Sequence, residues 1–144
     1  MNKEEIFNIF YGKETWDIWK KFQEIESSIN ESNKLYEYFD DIKKMLHDQK
    51  SHIKMRGFKI ICKFSKWDKD NKINNIIDSL LQVLDNEKPT IVRLCLSSLN
   101  NLLLYKTDLK EKVENKLRNM DLSKYKDSMN PLIQKDIDYI IEHI

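Results

Sequence analysis

The chain has 144 residues, of which 34% are charged, and its 25 basic and 24 acidic side chains leave a formal net charge of +1. A net charge near zero gives no overall attraction to nucleic acid or to an anionic membrane, so composition argues against both as the main partner. Two glycines and two prolines supply little of the turn chemistry of β-rich folds, which predicts an all-α protein.

The N-terminal segment, residues 1–30, predicts two helices. An apolar cluster before Gly12 predicts a short helix and residues 16–29 predict a longer one, so Gly12 is the expected break between them. Trp16 and Trp19 lie three residues apart, and this spacing predicts that both pack against neighbouring side chains. Because the periodicity here is poorer than elsewhere, we interpret this segment as a degenerate capping repeat.

Three helical hairpins follow, at residues 34–67, 72–105 and 108–144. In each hairpin, apolar residues recur at the three- and four-residue intervals of a helix, and a polar stretch separates two such patterns. The 90–104 helix is apolar over more than half of its circumference, which predicts that it is the central helix of the core. No linker divides the chain, so we predict one domain, residues 1–144, in which four hairpins stack as a short right-handed α-solenoid.

A repeated register marks the last three hairpins: an acidic residue is followed eight positions later by a basic one. Successive acids are 37 (48 to 85) and 42 (85 to 127) residues apart, which is typical of stacked helical pairs. In such stacks an acid in the turn accepts N–H groups of the next helix and pairs with a base of the same or the neighbouring repeat. We therefore predict a structural ladder of three pairs: Asp48 with Arg56, Asp85 with Arg93, and Asp127 with Lys135.

The segment Asp85–Arg93 resembles a HEAT repeat, because an acid in the turn is followed by a proline at the helix start and then by Val-Arg and an apolar run. Phrases that begin at Lys66, Asp108 and Asp121 further resemble those of small bacterial HEAT-repeat proteins, some of which are labelled SufBD. The resemblance covers most of residues 34–144. It implies an ARM-type helical fold and brings no catalytic residues with it, while the label implies iron–sulfur cluster assembly.

The residues themselves predict neither a catalytic centre nor a cofactor. Cys62 and Cys95 lie within apolar helical patterns and are expected to be buried, reduced thiols, and the three histidines are scattered without metal-ligand spacing. The chain also lacks a glycine-rich phosphate loop and a nucleophile elbow. We therefore expect a non-enzymatic protein without a bound metal. The charged N-terminus and the absence of a stretch of roughly 18 apolar residues predict a cytoplasmic location without membrane contact.

A basic stripe is the best candidate for a binding site. Residues 43–72 carry ten basic side chains against three acidic ones, whereas residues 1–42 carry five against ten. On the helix that starts near Lys50, four basic residues fall within an arc of about 80°, which predicts a solvent-facing stripe. In solenoids the second helix of each hairpin commonly lines the concave surface. The predicted partner-binding residues are Arg56, Lys59, Lys63 and Lys66, which form the basic stripe, together with Trp67, Asn100 and Asn101.

The leading functional hypothesis is a protein-binding adaptor. Its concave face, formed by the helices at 50–67 and 89–105, is expected to dock an acidic or extended segment of an unidentified protein. One alternative is a nucleic-acid-binding HEAT-like protein that uses the basic residues of 50–72. The stripe can also be a solvated surface that the acidic N-terminal third balances. A further hypothesis is self-association through an apolar surface on residues 1–29.

Overall fold

The computed structural model describes residues 1–144 and contains eight α-helices and no β-strand, which confirms the all-α prediction. None of the helices is both long enough and apolar enough to cross a membrane. Short 3-10 segments extend several helices or join them. The helices are α1 (Lys3–Phe10), α2 (Trp16–Ser28), α3 (Phe39–Lys43), α4 (Ser51–Phe64), α5 (Lys72–Gln82), α6 (Pro89–Tyr105), α7 (Lys110–Arg118) and α8 (Asn130–Glu142).

The first half of the second hairpin differs from its prediction. The amphipathic pattern of residues 34–46 predicts one helix, but α3 is only five residues long and has a 3-10 segment on either side. This segment is shaped by close packing against α4, where Gly57 brings the two backbones together. A Cβ atom at Gly57 would lie 2.8 Å from the Cβ atom of Met45. Tertiary contact thus overrides the helical pattern at this position.

The second helices of the hairpins pack side by side in chain order, so that α4 lies between α2 and α6, and α6 lies between α4 and α8. We call α2, α4, α6 and α8 the helix row. One continuous cluster of buried apolar side chains extends through all four hairpins. Both α6 and α8 have a proline in the first turn, where the missing N–H leaves no hydrogen bond unmade.

The predicted central helix, α6, packs between α4 and α8, but α4 is the more enclosed of the two. Ten of the 14 residues of α4 are buried, against eight of the 17 residues of α6. The difference arises because α1 and α2 both pack against α4. On α6, by contrast, Leu104 is 69% exposed.

A buried polar network around Asp68 joins the second and third hairpins. The Asp68 carboxylate accepts hydrogen bonds from the Tyr36 hydroxyl at 2.5 Å and from the backbone N–H groups of Lys72 and Ile73, both at 2.9 Å. It also pairs with the Lys106 ammonium group at 2.9 Å. Asp68 therefore binds the start of α5 and the end of α6 at the same time, a role that the sequence prediction missed.

The predicted acid-to-base ladder is not one repeated contact. In the first pair, Asp48 Oδ1 accepts the N–H of Lys50 at 2.8 Å in the turn before α4, as expected of an acid in a turn. Its predicted base, Arg56, instead donates to backbone carbonyls of the N-terminal hairpin.

The other two pairs also separate, but their members connect neighbouring hairpins. Asp85 pairs with Lys116 at 2.7 Å, and Arg93 pairs with Asp136 at 2.7 Å. These contacts fit the part of the prediction that placed partners on neighbouring repeats. The third pair forms no ion pair, and both of its side chains are exposed. Its members are Asp127 and Lys135.

Candidate functional site

The prediction that the basic stripe faces solvent is wrong for Arg56, which is only 2% exposed. Its guanidinium group holds the end of α1 and the loop that follows, where carbonyl groups lack intrahelical partners. Nη1 donates to the carbonyls of Ile9 at 3.3 Å, Phe10 at 2.9 Å and Gly12 at 2.7 Å, and Nη2 donates to that of Lys13 at 3.1 Å. Arg56 is therefore a clamp for the N-terminal hairpin.

Lys59 is also buried, and the remaining residues of the stripe contact the same hairpin. The Lys59 ammonium group lies 3.7 Å from the Glu26 carboxylate and 3.1 Å from the Ser98 hydroxyl. The Lys63 ammonium group is 3.4 Å from the side-chain oxygen of Asn30, just beyond the end of α2. The contacts with Glu26 and Asn30 join α4 to the C-terminal end of α2, whereas Ser98 lies on α6.

The end of the stripe repeats this arrangement. The Lys66 ammonium group donates to the Asn30 carbonyl at 2.7 Å, and the Trp67 indole N–H donates to the Ile29 carbonyl at 2.7 Å. Cations and N–H donors are favourable at a helix C-terminus, where carbonyl groups carry the negative end of the helix dipole. The basic stripe is thus a contact surface within the molecule, and it binds the acidic N-terminal hairpin.

The exposed stripe of α6 has a different character. Arg93 is the only charged residue of this 17-residue helix. Asn100 is exposed, and Asn101 is half-buried with a side-chain oxygen that has no hydrogen-bond partner. We call this stripe, with its two neighbours on α8, the open face; its residues are Thr90, Arg93, Leu94, Ser97, Asn100, Asn101 and Leu104 on α6, and Asp136 and Tyr139 on α8.

A groove of about 550 Å³ runs between α6 and α8 on the open face. Leu94 and Ile140 provide apolar surface in the groove, and Ser97 and Asn100 provide polar groups. Arg93 and Asp136 form a two-point contact, with Nε to Oδ2 at 2.7 Å and Nη2 to Oδ1 at 3.3 Å.

Tyr139 forms one wall of this groove and is 54% exposed. Its ring stacks on that of His143 with 4.1 Å between the ring centres. An exposed aromatic ring that a neighbour holds in place loses little conformational entropy on binding, which makes it a suitable contact residue.

A second cleft, of about 360 Å³, lies at the other side of α6 and includes Trp16, Trp19, His52 and Arg56. It shares Thr90 and Leu94 with the groove between α6 and α8, so the two depressions are neighbours. The packing prediction for the tryptophans holds only in part. Trp19 stacks on Phe22 at 5.8 Å, whereas Trp16 is 74% exposed.

The sequence prediction missed most of this surface. It identified Asn100 and Asn101 but not Leu94, Ser97 or Tyr139. One signal was present in the sequence: residues 89–105 contain a single charge, although a third of the chain is charged. Because one side of this helix packs in the core, the scarcity of charge means that its exposed side is also poor in charged residues.

The structure offers no metal site, since no group of three or more His, Cys, Asp or Glu side chains is arranged to hold an ion. Cys62 and Cys95 are free and buried, as predicted. Burial raises the pKa of both thiols, which keeps them protonated and unreactive at neutral pH.

Comparison with family models, with curated proteins and with solved structures finds no match for this chain.

Proposed function

We propose that the protein is a non-enzymatic protein-binding module, built as a short right-handed α-solenoid of HEAT type, that docks an extended segment of a partner protein on its open face. The order of packing along the helix row supports the solenoid, because each second helix contacts the second helix of the next hairpin. The first-turn prolines of α6 and α8 are consistent with a repeated unit.

The observation that carries the proposal is the exposed stripe of α6, on which Arg93 is the only charged residue. In a chain of which 34% is charged, a solvated helix surface is expected to carry charges at most exposed positions. Here Thr90, Ser97 and Asn100 are exposed together with Leu104. Depletion of charge at the centre, with aromatic residues and arginine nearby, is the composition of a protein–protein interface.

The side chains of the open face suit a peptide backbone. Asn100 and Ser97 are exposed and offer both donors and acceptors, whereas the unpartnered side-chain oxygen of Asn101 is itself buried. Leu94 and Tyr139 supply the apolar contacts that anchor side chains of a bound segment. The contacts of the basic stripe within the molecule weaken the support for an acidic segment.

The basic stripe supports the nucleic-acid alternative less than the sequence suggests. Arg56 and Lys59 are buried, and Lys63 and Lys66 both bond to Asn30. A phosphate backbone needs a series of accessible cations. The open face has only Arg93, and that side chain is paired with Asp136.

A quantitative pull-down from the source cells tests the proposal, with Ser97→Glu compared with Asn75→Glu. Both positions are exposed on helices, but Ser97 lies on the open face and Asn75 lies on α5. We expect to recover a partner protein with the wild type and with Asn75→Glu. Ser97→Glu should recover about tenfold less of that partner, because the partner would bury the new charge. Equal recovery by both variants contradicts docking at the open face.

A further inference from the structure

Three helices begin at the cleft that contains Trp16. Thr15 and Trp16 start α2, His52 lies in the first turn of α4, and Thr90 and Ile91 lie in the first turn of α6. Neither α4 nor α6 has a side chain that caps its N-terminus. The first turns of these three helices, with the positive ends of their helix dipoles, therefore line one cleft, which favours a bound anion.

A buried cation at the same cleft points independently to an anion. Arg56 lines the cleft and is 98% enclosed, and its Nε–H group has no hydrogen-bond acceptor. Its other hydrogen bonds go to neutral carbonyls, so no carboxylate of the chain forms an ion pair with this charge. A buried positive charge that lacks a paired anion raises the local potential, and a carboxylate entering the cleft lowers its energy.

The other charged groups at the cleft do not cancel this field. Glu14 is the only acidic residue that lines it, and its side chain is mostly exposed, with a carboxylate 3.8 Å from His52 Nδ1. Burial and the nearby Arg56 charge lower the pKa of His52, as expected where the potential is positive. The cleft thus combines the Arg56 charge and the positive ends of three helix dipoles with one opposing acid at its solvent side.

The remaining walls are apolar. Trp16 and Trp19 form one side, and Met55, Ile91 and Leu94 provide aliphatic surface. The volume of about 360 Å³ fits one amino-acid residue with a large side chain. The cleft adjoins the groove on the open face at Thr90 and Leu94, and α2 is the last helix of the row on this side. A segment that follows the groove from α8 toward α2 therefore reaches this cleft at its end.

We propose that the cleft binds the C-terminal residue of the partner segment, with its terminal carboxylate at the helix N-termini beside Arg56 and its apolar side chain against Trp16 and Trp19. This inference rests on the proposed function, because it assigns a polarity and a terminal anchor to the segment on the open face. It also defines the partner chemically, as a protein whose free C-terminus ends in a large apolar residue.

An NMR titration tests the pocket without the partner. The probes are acetyl-Ala-Ala-Phe with a free carboxylate, the same tripeptide as its C-terminal amide, and 3-phenylpropionate, while amide and indole N–H shifts of the protein are recorded. We expect the acid to shift the indole signals of Trp16 and Trp19 and to bind about tenfold more tightly than the amide. Equal affinity for acid and amide, or no binding of either, overturns the proposal.

Two variants and a matched control sharpen the result. Glu14→Gln removes the only acid at the cleft. It should raise the affinity for the acid peptide about two- to fivefold and leave the affinity for the amide unchanged. Trp16→Ala should weaken both peptides, because the apolar wall is lost, whereas Tyr105→Ala at the far end of α6 should change neither. Loss of affinity in Tyr105→Ala equal to that in Trp16→Ala counts against this location.

The small acid separates a chain terminus from a free ligand. If 3-phenylpropionate binds as tightly as the tripeptide acid, the site is one for small aromatic acids and the assignment to a partner C-terminus fails. A partner that is sensitive to Ser97→Glu but binds equally well with an amidated C-terminus overturns the pocket and leaves the proposed function standing. If the acid peptide binds but no partner is sensitive to Ser97→Glu, the pocket stands and the proposed function is overturned.

Discussion

Individual residues show why the basic stripe misled the sequence analysis. The four carbonyls that Arg56 binds lie more than 40 positions earlier in the chain. Backbone carbonyls have no sequence signature, so nothing in the pattern distinguishes a clamp from a solvated arginine. The acidic character of residues 1–42 was visible, but charge alone did not indicate that this segment folds onto α4.

Replacement of the clamp tests its structural role. Arg56→Lys keeps the charge but removes the planar fork, so one ammonium group has to replace four hydrogen bonds in a buried site. We expect a loss of about 3 kcal/mol in the free energy of unfolding, measured by urea denaturation. Arg118→Lys, whose ion pair with Glu114 is on the surface, should change stability by about 0.5 kcal/mol or less. Equal losses in the two variants are incompatible with a clamp.

Asp68 predicts a pH dependence of stability. Burial acts to raise the pKa of its carboxyl group, but the hydrogen bonds from Tyr36, Lys106 and Ile73 outweigh burial and hold the pKa below its usual range. Because the unfolded chain binds the proton more readily, Asp68 stabilises the fold above about pH 4, and this contribution is lost as the pH falls further.

The substitution Asp68→Asn should remove that contribution. We expect a loss of about 2 kcal/mol at neutral pH and a flatter decline of the unfolding free energy below about pH 4. Asp127→Asn is the matched control, since Asp127 is exposed and unpaired. Urea denaturation across this pH range provides the measurement, and parallel curves for wild type and Asp68→Asn contradict the assignment.

At the scale of elements, helical periodicity predicted most of the fold. The bounds of α2, α5, α6 and α8 lie close to the predicted ones because long amphipathic stripes are decisive signals. The prediction of one helix over residues 34–46 was wrong because the conformation of this segment depends on contact with α4. The enclosure of α4 was also missed, since the pattern of a helix shows that it has a buried side but not how many neighbours cover it.

Gly57 provides a test of the contact between α3 and α4. Alanine would favour the helix by about 1 kcal/mol in isolation, but its Cβ atom would lie 2.8 Å from that of Met45, inside van der Waals contact. We expect Gly57→Ala to lower the melting temperature and to cost about 1–3 kcal/mol net. Asn75→Ala on the exposed side of α5 should instead be neutral or slightly stabilising. A stabilised Gly57→Ala protein would show that the contact is looser than described.

At the scale of the molecule, the N-terminal hairpin completes the core. It covers α4 through Arg56, Lys59 and the buried side chains of Phe10, Phe22 and Ile25. The prediction of a capping repeat is consistent with this arrangement, although the sequence did not reveal that the cap uses the basic stripe.

Removal of the hairpin should therefore affect the whole fold. We expect residues 31–144 alone to lose a cooperative thermal transition by circular dichroism and to aggregate in sedimentation experiments, because α4 would expose apolar surface and unpaired cations. A monomeric fragment with a sharp transition would contradict this dependence.

The open face is the central claim at this scale, since it assigns binding to an exposed surface of α6 on which Arg93 is the only charged residue. Photo-crosslinking with benzoylphenylalanine at Ser97, compared with the same group at Asn75, tests it most directly in the source cells. The account predicts one crosslinked partner at position 97 that Asn100→Glu abolishes, and none at position 75. The same products at both positions, or a product at position 97 that Asn100→Glu leaves unchanged, would contradict it.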